Sequence, residues 1–149
     1  VARVPDPAEA AGGTFAARAF ADLKGRLRLP VRGELAGRFG GRPAGSASAK
    51  GVFIRAAEGE TVRAVGPGRV VYADWMRGFG NLMIVDHGDA YLTIYGNNES
   101  LLKQTGDAVG LGEPLATVGS SGGSEQTGLY FEMRHLGRPF DPLGWVKLK

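Results

Sequence analysis

The sequence predicts a β-rich, single globular domain, and three observations carry that expectation. Twenty-five glycines and eight prolines are spread through 149 residues, so turns recur at short intervals. Gly128–Arg134 alternates Leu129, Phe131 and Met133 with Tyr130, Glu132 and Arg134, the period of a strand with one buried face. Several short apolar runs are separated by glycine-rich turns, as in a chain of hairpins. The length supports a sizeable core, and 43% of the residues are hydrophobic.

The elements follow in order. Residues 1–28 are read as a linker and a short helix, and residues 29–149 as the domain. Val1–Gly13 is rich in Ala, Pro and Gly; Thr14–Leu27 places Phe15, Ala19, Leu23 and Leu27 on one helical face, with Thr14 as N-cap. That helix either docks on the domain or lies across its groove. Leu29–Gly41 contains a short extended piece ending at Arg38-Phe39-Gly40, and Arg42–Ala49 is a small, polar, mobile loop. Val52–Ile54, Glu60–Val65 and Gly68–Trp75 read as strands, the last two joined at Gly66-Pro67-Gly68. Gly78–Gly80 is a turn. Leu82–Asp86 and Tyr91–Tyr95 form a hairpin around His87-Gly88-Asp89. Asn98–Lys103 is expected to make one helical turn capped by Asn98. Val109–Leu111 and Pro114–Val118 are short strands, and Trp145 is expected to pack back on the sheet.

Composition narrows the function. A net charge of +3 with interleaved acids and bases, and no basic block carrying aromatics, argues against a nucleic-acid partner. The absence of cysteine removes disulfides, thiol nucleophiles and thiolate metal sites. No apolar run approaches the length of about 18 residues that suggests a membrane span, and no signal peptide is seen; Val1 is an implausible native start, so a fragment or a processed chain is expected. Ser120, Ser121 and Ser124 lack any His–Asp context for a nucleophilic triad and read as loop serines. His87 reads as a turn imidazole and His135 as a surface one, without metal-ligand partners at suitable spacing. Asp86, Asp89 and Glu132 read as solvated or turn-stabilising groups.

A weak internal echo pairs Gly59-Glu60-Thr61-Val62 with Gly106-Asp107-Ala108-Val109. The second copy, GDAVGLGEPLATVG, looks like half of a biotinyl or lipoyl carrier barrel. No lysine stands at a comparable hairpin tip, so both copies are read as structural turns.

Four stretches together resemble the LytM/lysostaphin-type zinc peptidases of bacterial cell walls: AKGVFIRAAEGETVRAVGPGRVVYADW, FGNLMIVDHGDAYLTIYGN, TGDAVGLGEPLATVGSSGG and LYFEMR. The resemblance covers about Leu29–Leu148, and it implies a compact antiparallel β-sheet domain with a groove between loops. In that family zinc is held by a His-x-x-x-Asp pair and the second His of a His-x-His element. The first His of that element and a further His after the hairpin Tyr handle protons and the oxyanion. Such ligands leave zinc an open position where water becomes a nucleophile near neutral pH.

Carried across residue by residue, the resemblance puts Ala49 and Phe53 at the first two ligands, Gly128 and Tyr130 at the His-x-His element, and Asn97 at the last catalytic His. It therefore implies a degenerate domain without metal, cofactor or catalysis. Local matches at Lys50-Gly51, Ala73–Trp75, Gly78–Gly80, Tyr95-Gly96, Gly119–Gly123 and Leu129–Glu132 are most similar to the EnvC-type murein hydrolase activators. What this implies is a periplasmic, non-catalytic partner of cell-wall N-acetylmuramyl-L-alanine amidases at cell division. The membrane division complex would be reached only through upstream regions. The expected contact groove comprises Lys50, Phe53, Phe79, Leu82, Asn97, Tyr130 and Arg134, with aromatic anchors suited to an amphipathic helix or an extended peptide. Three alternatives stay open: Phe53 and Tyr130 merely filling the vacated zinc site, a zinc endopeptidase with atypical ligands, and a passive peptidoglycan-binding module.

Overall fold

The computed structural model describes residues 20–40, 49–123 and 125–147. Its strands are β1 (Glu34–Gly37), β2 (Val52–Arg55), β3 (Thr61–Arg63), β4 (Gly68–Met76), β5 (Gly80–Gly88), β6 (Tyr91–Leu101), β7 (Ala108–Val109), β8 (Pro114–Val118), β9 (Gly128–His135) and β10 (Arg138–Phe140). They join in one antiparallel sheet whose main path runs β1-β2-β9-β6-β5-β4-β7. β10 adds to β9, and β8 bridges β6 and β3. The expected β-rich class is what the chain adopts.

Period-2 alternation decides the faces. Val52, Ile54, Met83, Val85, Tyr95, Leu129, Phe131 and Met133 are buried together in the core. The β5–β6 hairpin closes through Asp89 and Ala90, with φ of 53° and 66°, a two-residue turn of the kind that suits the right-handed strand twist. His87 and Gly88, expected in the turn, thus belong to β5, and the turn starts two residues later at Asp89. The echo of Gly59-Glu60 and Gly106-Asp107 has a common geometry. Gly59 N–H donates to Val118 O while Glu60 O accepts from Val118 N–H. Gly106 N–H likewise donates to Val70 O, and Asp107 O accepts from Val70 N–H. Both glycines have positive φ, so each copy is a tight turn stapled to a buried valine.

Two local expectations fail here. Asn98–Leu101 continues β6 instead of starting a helical turn, because its partner strand β8 supplies hydrogen bonds that a single isolated turn lacks. Helical geometry stops at Asp22, short of Leu27, which instead forms a parallel bridge with Val146. Thr14–Ala19 and most of Arg42–Ala49 lie outside the described residues. The described end of the N-terminal segment docks on the core away from the groove. Phe20 is buried and stacks on His87 at 4.2 Å, with Trp145 centred 5.4 Å away.

His87 itself is no turn imidazole. It is 1% exposed, with Nδ1 2.7 Å from Pro67 O and Nε2 2.7 Å from Thr93 Oγ1. A carbonyl only accepts, so Nδ1 carries the proton and Nε2 presents its lone pair to the threonine hydroxyl. That hydroxyl lies 2.8 Å from the Tyr95 hydroxyl, which accepts from Val65 N–H. His135 matches its expected peripheral role, half-buried and stacked on Tyr91 at 4.0 Å.

Candidate functional site

The face of the sheet opposite the core carries a groove, and β9 forms its wall. Phe53 of β2 and Gly96 of β6 both register with Tyr130, so the three lie in one row across adjacent strands. Phe79, in the turn between β4 and β5, brings its ring to 5.8 Å from that of Tyr130 at an angle of 51°. Phe53, Phe79 and Tyr130, with Gly78, Asn97, Gly122 and Gly123, enclose an open depression of about 370 Å³.

Glycine is required at 128. A Cβ there would lie 2.4 Å from Ile54 O and 2.8 Å from two ring carbons of Phe53. The Phe53 ring and a side chain at 128 exclude one another, so these two positions behave as one coupled replacement. Gly80 has a similar duty at the far rim. Its φ is 74°, and a Cβ would stand 2.4 Å from Gly122 N, so only glycine lets the 119–123 loop settle on the start of β5.

Tyr130 is held by its neighbours along the strand. Its hydroxyl donates to Glu132 Oε2 at 2.5 Å, and Arg134 Nε donates to Glu132 Oε1 at 2.7 Å. Glu132, read from sequence as solvated, is 1% exposed and receives both donors. The short, alternating spacing could have signalled this: residues 130, 132 and 134 share a face, so a carboxylate between a phenol and a guanidinium has both within reach. Burial and the adjoining carboxylate push the Tyr130 phenol well above its usual range, so it stays protonated. The Tyr130→Phe variant is expected to lower stability by about 1 to 2 kcal/mol in urea unfolding, the value of a hydrogen bond from a half-buried phenol to a charged acceptor.

Asn97 joins the loops and strands that frame the groove. Nδ2 donates to Gly119 O at 3.0 Å and Gly128 O at 2.9 Å, while Oδ1 accepts from Gly122 N–H at 2.8 Å. Its backbone N–H donates to Phe79 O at 2.7 Å, and its φ of 70° is one that asparagine tolerates better than most residues. At 3% exposure it acts as a clamp for the groove whose floor it helps to line. Ser121 assists: its hydroxyl accepts from Asn81 N–H at 2.9 Å and donates to Asn98 O. Sequence reading passed over both as clamps; an Asn directly after Tyr95-Gly96, where the chain needs a left-handed residue, was the available signal.

The other expected positions separate. Arg134 is half-exposed and tied to Glu132, and Lys50 is exposed just before β2 without lining the depression. Ala49 offers its carbonyl to Gly40 N–H at 2.8 Å and is likewise off the wall. Leu82 is 1% exposed and does not line the depression, so it contributes no accessible surface there. Ser124 lies outside the described residues.

Comparison with known proteins supplies the family. The model of peptidase family M23 matches residues 47–142, the stretch that builds β2 to β10. The chain belongs to peptidase family M23. Among its relatives is the murein hydrolase activator EnvC of Escherichia coli, 42% identical over 123 residues that make up 83% of this chain and 29% of that protein. The murein hydrolase activator NlpD of the same organism is 38% identical over 120 residues, covering 80% of this chain and 31% of NlpD. The chain therefore spans about a third of the length of these relatives. The catalytic domain of lysostaphin from Staphylococcus simulans shares the fold at a TM-score of 0.70 and 22% identity, with 85% of this chain and 94% of that one covered.

The zinc of this fold family does not fit the residues present. A phenol kept protonated by Glu132 is a poor ligand, Phe53 offers none, and Gly128 has no room for one. Among the described residues no three His, Cys, Asp or Glu side chains gather into a metal-binding group.

Proposed function

We propose that this M23 domain is a non-catalytic activator of peptidoglycan hydrolysis, acting in the periplasm of a Gram-negative bacterium by binding a cell-wall amidase through the Phe53–Phe79–Tyr130 groove. The observation that carries the reading is the open aromatic depression on the wall where the resemblance places zinc ligands. Simple filling of a vacated metal site would close it. Phe53 and Tyr130 instead leave about 370 Å³ open, with Phe79 as a third ring. Relatives named as murein hydrolase activators add weight from outside the site. Activation then works by differential affinity: the groove must bind an amidase conformation with its active site accessible better than the closed one.

Dye release from labelled sacculi by a cell-wall amidase, with and without the domain, tests this. The wild type is expected to stimulate release while releasing nothing alone. Phe79→Ala is the cleanest variant, because Phe79 sits in a turn and its loss leaves the core intact. It should raise the half-stimulating concentration about tenfold or more, as removal of an aromatic anchor does. Tyr130→Phe, which keeps the ring, should stimulate normally. Stoichiometric zinc with intrinsic hydrolysis, or binding to sacculi without any effect on the amidase, would overturn the assignment.

A further inference from the structure

A second concavity lies where three chain segments meet, and it shares no residue with the groove. It has a volume of about 580 Å³ and is lined by Arg28, Arg32, Arg63 and Lys147, with Glu60, Thr61 and the backbone around Leu29, Val31 and Gly33. Four cationic residues and one acidic residue line it. Arg28, Arg32, Lys147 and Glu60 enter no ion pair among the described residues, and Arg63 donates one Nη1 hydrogen bond to Gly112 O at 3.1 Å. A protein surface normally intersperses its charges, so four like charges around one hollow store repulsion that a counter-charge would relieve.

The backbone beneath these side chains is stitched together. Arg63 N–H donates to Pro30 O at 2.7 Å, joining β3 to the 28–33 strap. Lys147 N–H donates to Leu27 O at 2.6 Å, and Leu27 bridges Val146, joining the C-terminal segment to the same strap. Gly33 lies so close to Arg55 O that a Cβ would approach to 2.2 Å, which fixes the strap against β2. The cations therefore project from fixed origins on three sides of the bowl.

We infer that this basin binds a compact, multiply charged phosphate ligand. The shape favours a discrete anion over a flat anionic surface, since the charges surround a hollow. Three guanidiniums and an ammonium arriving from separate segments suit a tetrahedral oxyanion, which offers acceptor oxygens in several directions; a carboxylate offers two in one plane. Glu60 disfavours a singly charged ligand and leaves a surplus for a ligand with two or more charges.

Pyrophosphate titrated into the isotope-labelled 149-residue chain at low salt provides the test, read by amide chemical shifts. Saturable shifts are expected within 28–33, 61–63 and 146–147, with none in the Phe79–Tyr130 groove. The Arg28→Glu/Arg32→Glu double variant should weaken binding about tenfold or more, and Arg77→Glu, an exposed cation outside the basin, should leave it unchanged. All of these side chains are exposed, so an intact spectrum of each variant checks the fold. Absence of saturable shifts, equal binding by the double variant, or equal binding of tricarballylate would each overturn the phosphate assignment. Because the readout uses no amidase, failure here leaves the groove reading standing, and the reverse holds too.

Discussion

Replacing Asn97 by alanine should cost about 3 kcal/mol of stability, and stimulation of an amidase should fall further than the stability loss explains. The side chain serves three backbone groups at once: Gly119 O, Gly128 O and Gly122 N–H. Truncation strands the Gly122 amide and takes a donor from each carbonyl, although Gly119 O keeps Gly128 N–H, and each group left dry costs about 1 to 3 kcal/mol. Water entering from the adjoining depression offsets part of that. Alanine also bears the cost of a left-handed backbone, about 1 to 2 kcal/mol, which the Asn97→Gly variant removes. Urea unfolding of the two variants separates the terms: glycine should recover about 1 kcal/mol over alanine and no more. The functional part follows from position. The amide ties the 119–123 loop to β6 and β9, so its loss lets the groove widen while the sheet stays paired. A cost below about 1 kcal/mol, within the range of an ordinary surface change, would mean that the loop is held by Ser121 and Gly80 without it.

The same residue shows where sequence reading reached and where it stopped. The β9 wall was legible because a period of two fixes the faces whatever the partners are; Leu129, Phe131 and Met133 are all buried. The Gly59 and Gly106 echo was legible because a glycine at positive φ is a local requirement. Features decided by distant contacts were not. Asn98 looked like a helix cap, but its fate was set by Asn81 and Val118, its partners in β5 and β8. Leu27 looked helical, but its partner is Val146, near the other end of the chain. Glu132 looked solvated because charged residues on an outward face usually are; burial came from Tyr130 and Arg134 closing over it. Leu82 was expected in the groove yet is buried, since alternation gives direction and not depth.

His87 marks the same boundary between local pattern and tertiary fact, and it gives the chain a definite response to acid. Burial lowers its pKa from 6.5 to about 4, against smaller opposing effects from the Pro67 carbonyl and Asp86. The unfolded chain, whose His87 keeps its ordinary value, therefore binds more protons between those two pH values. Stability must then fall as pH drops from about 6.5 towards 4 and stay level for this group above 7. The shift corresponds to about 3 kcal/mol across that window. The groups facing the ring make the direction physically plain: Phe20 stacks on it, Pro67 O takes the Nδ1 proton, and Thr93 needs Nε2 as an acceptor. A second proton on Nε2 would place a donor against that hydroxyl, and Asp86 compensates for little of the cost of burying the charge. Urea unfolding at pH 7 and pH 4.5 should show the loss in the wild type. In His87→Gln, which cannot titrate, the pH-dependent loss should shrink by about 2 kcal/mol even though the variant is less stable at pH 7. An equal loss in both would assign the acid sensitivity to groups other than His87.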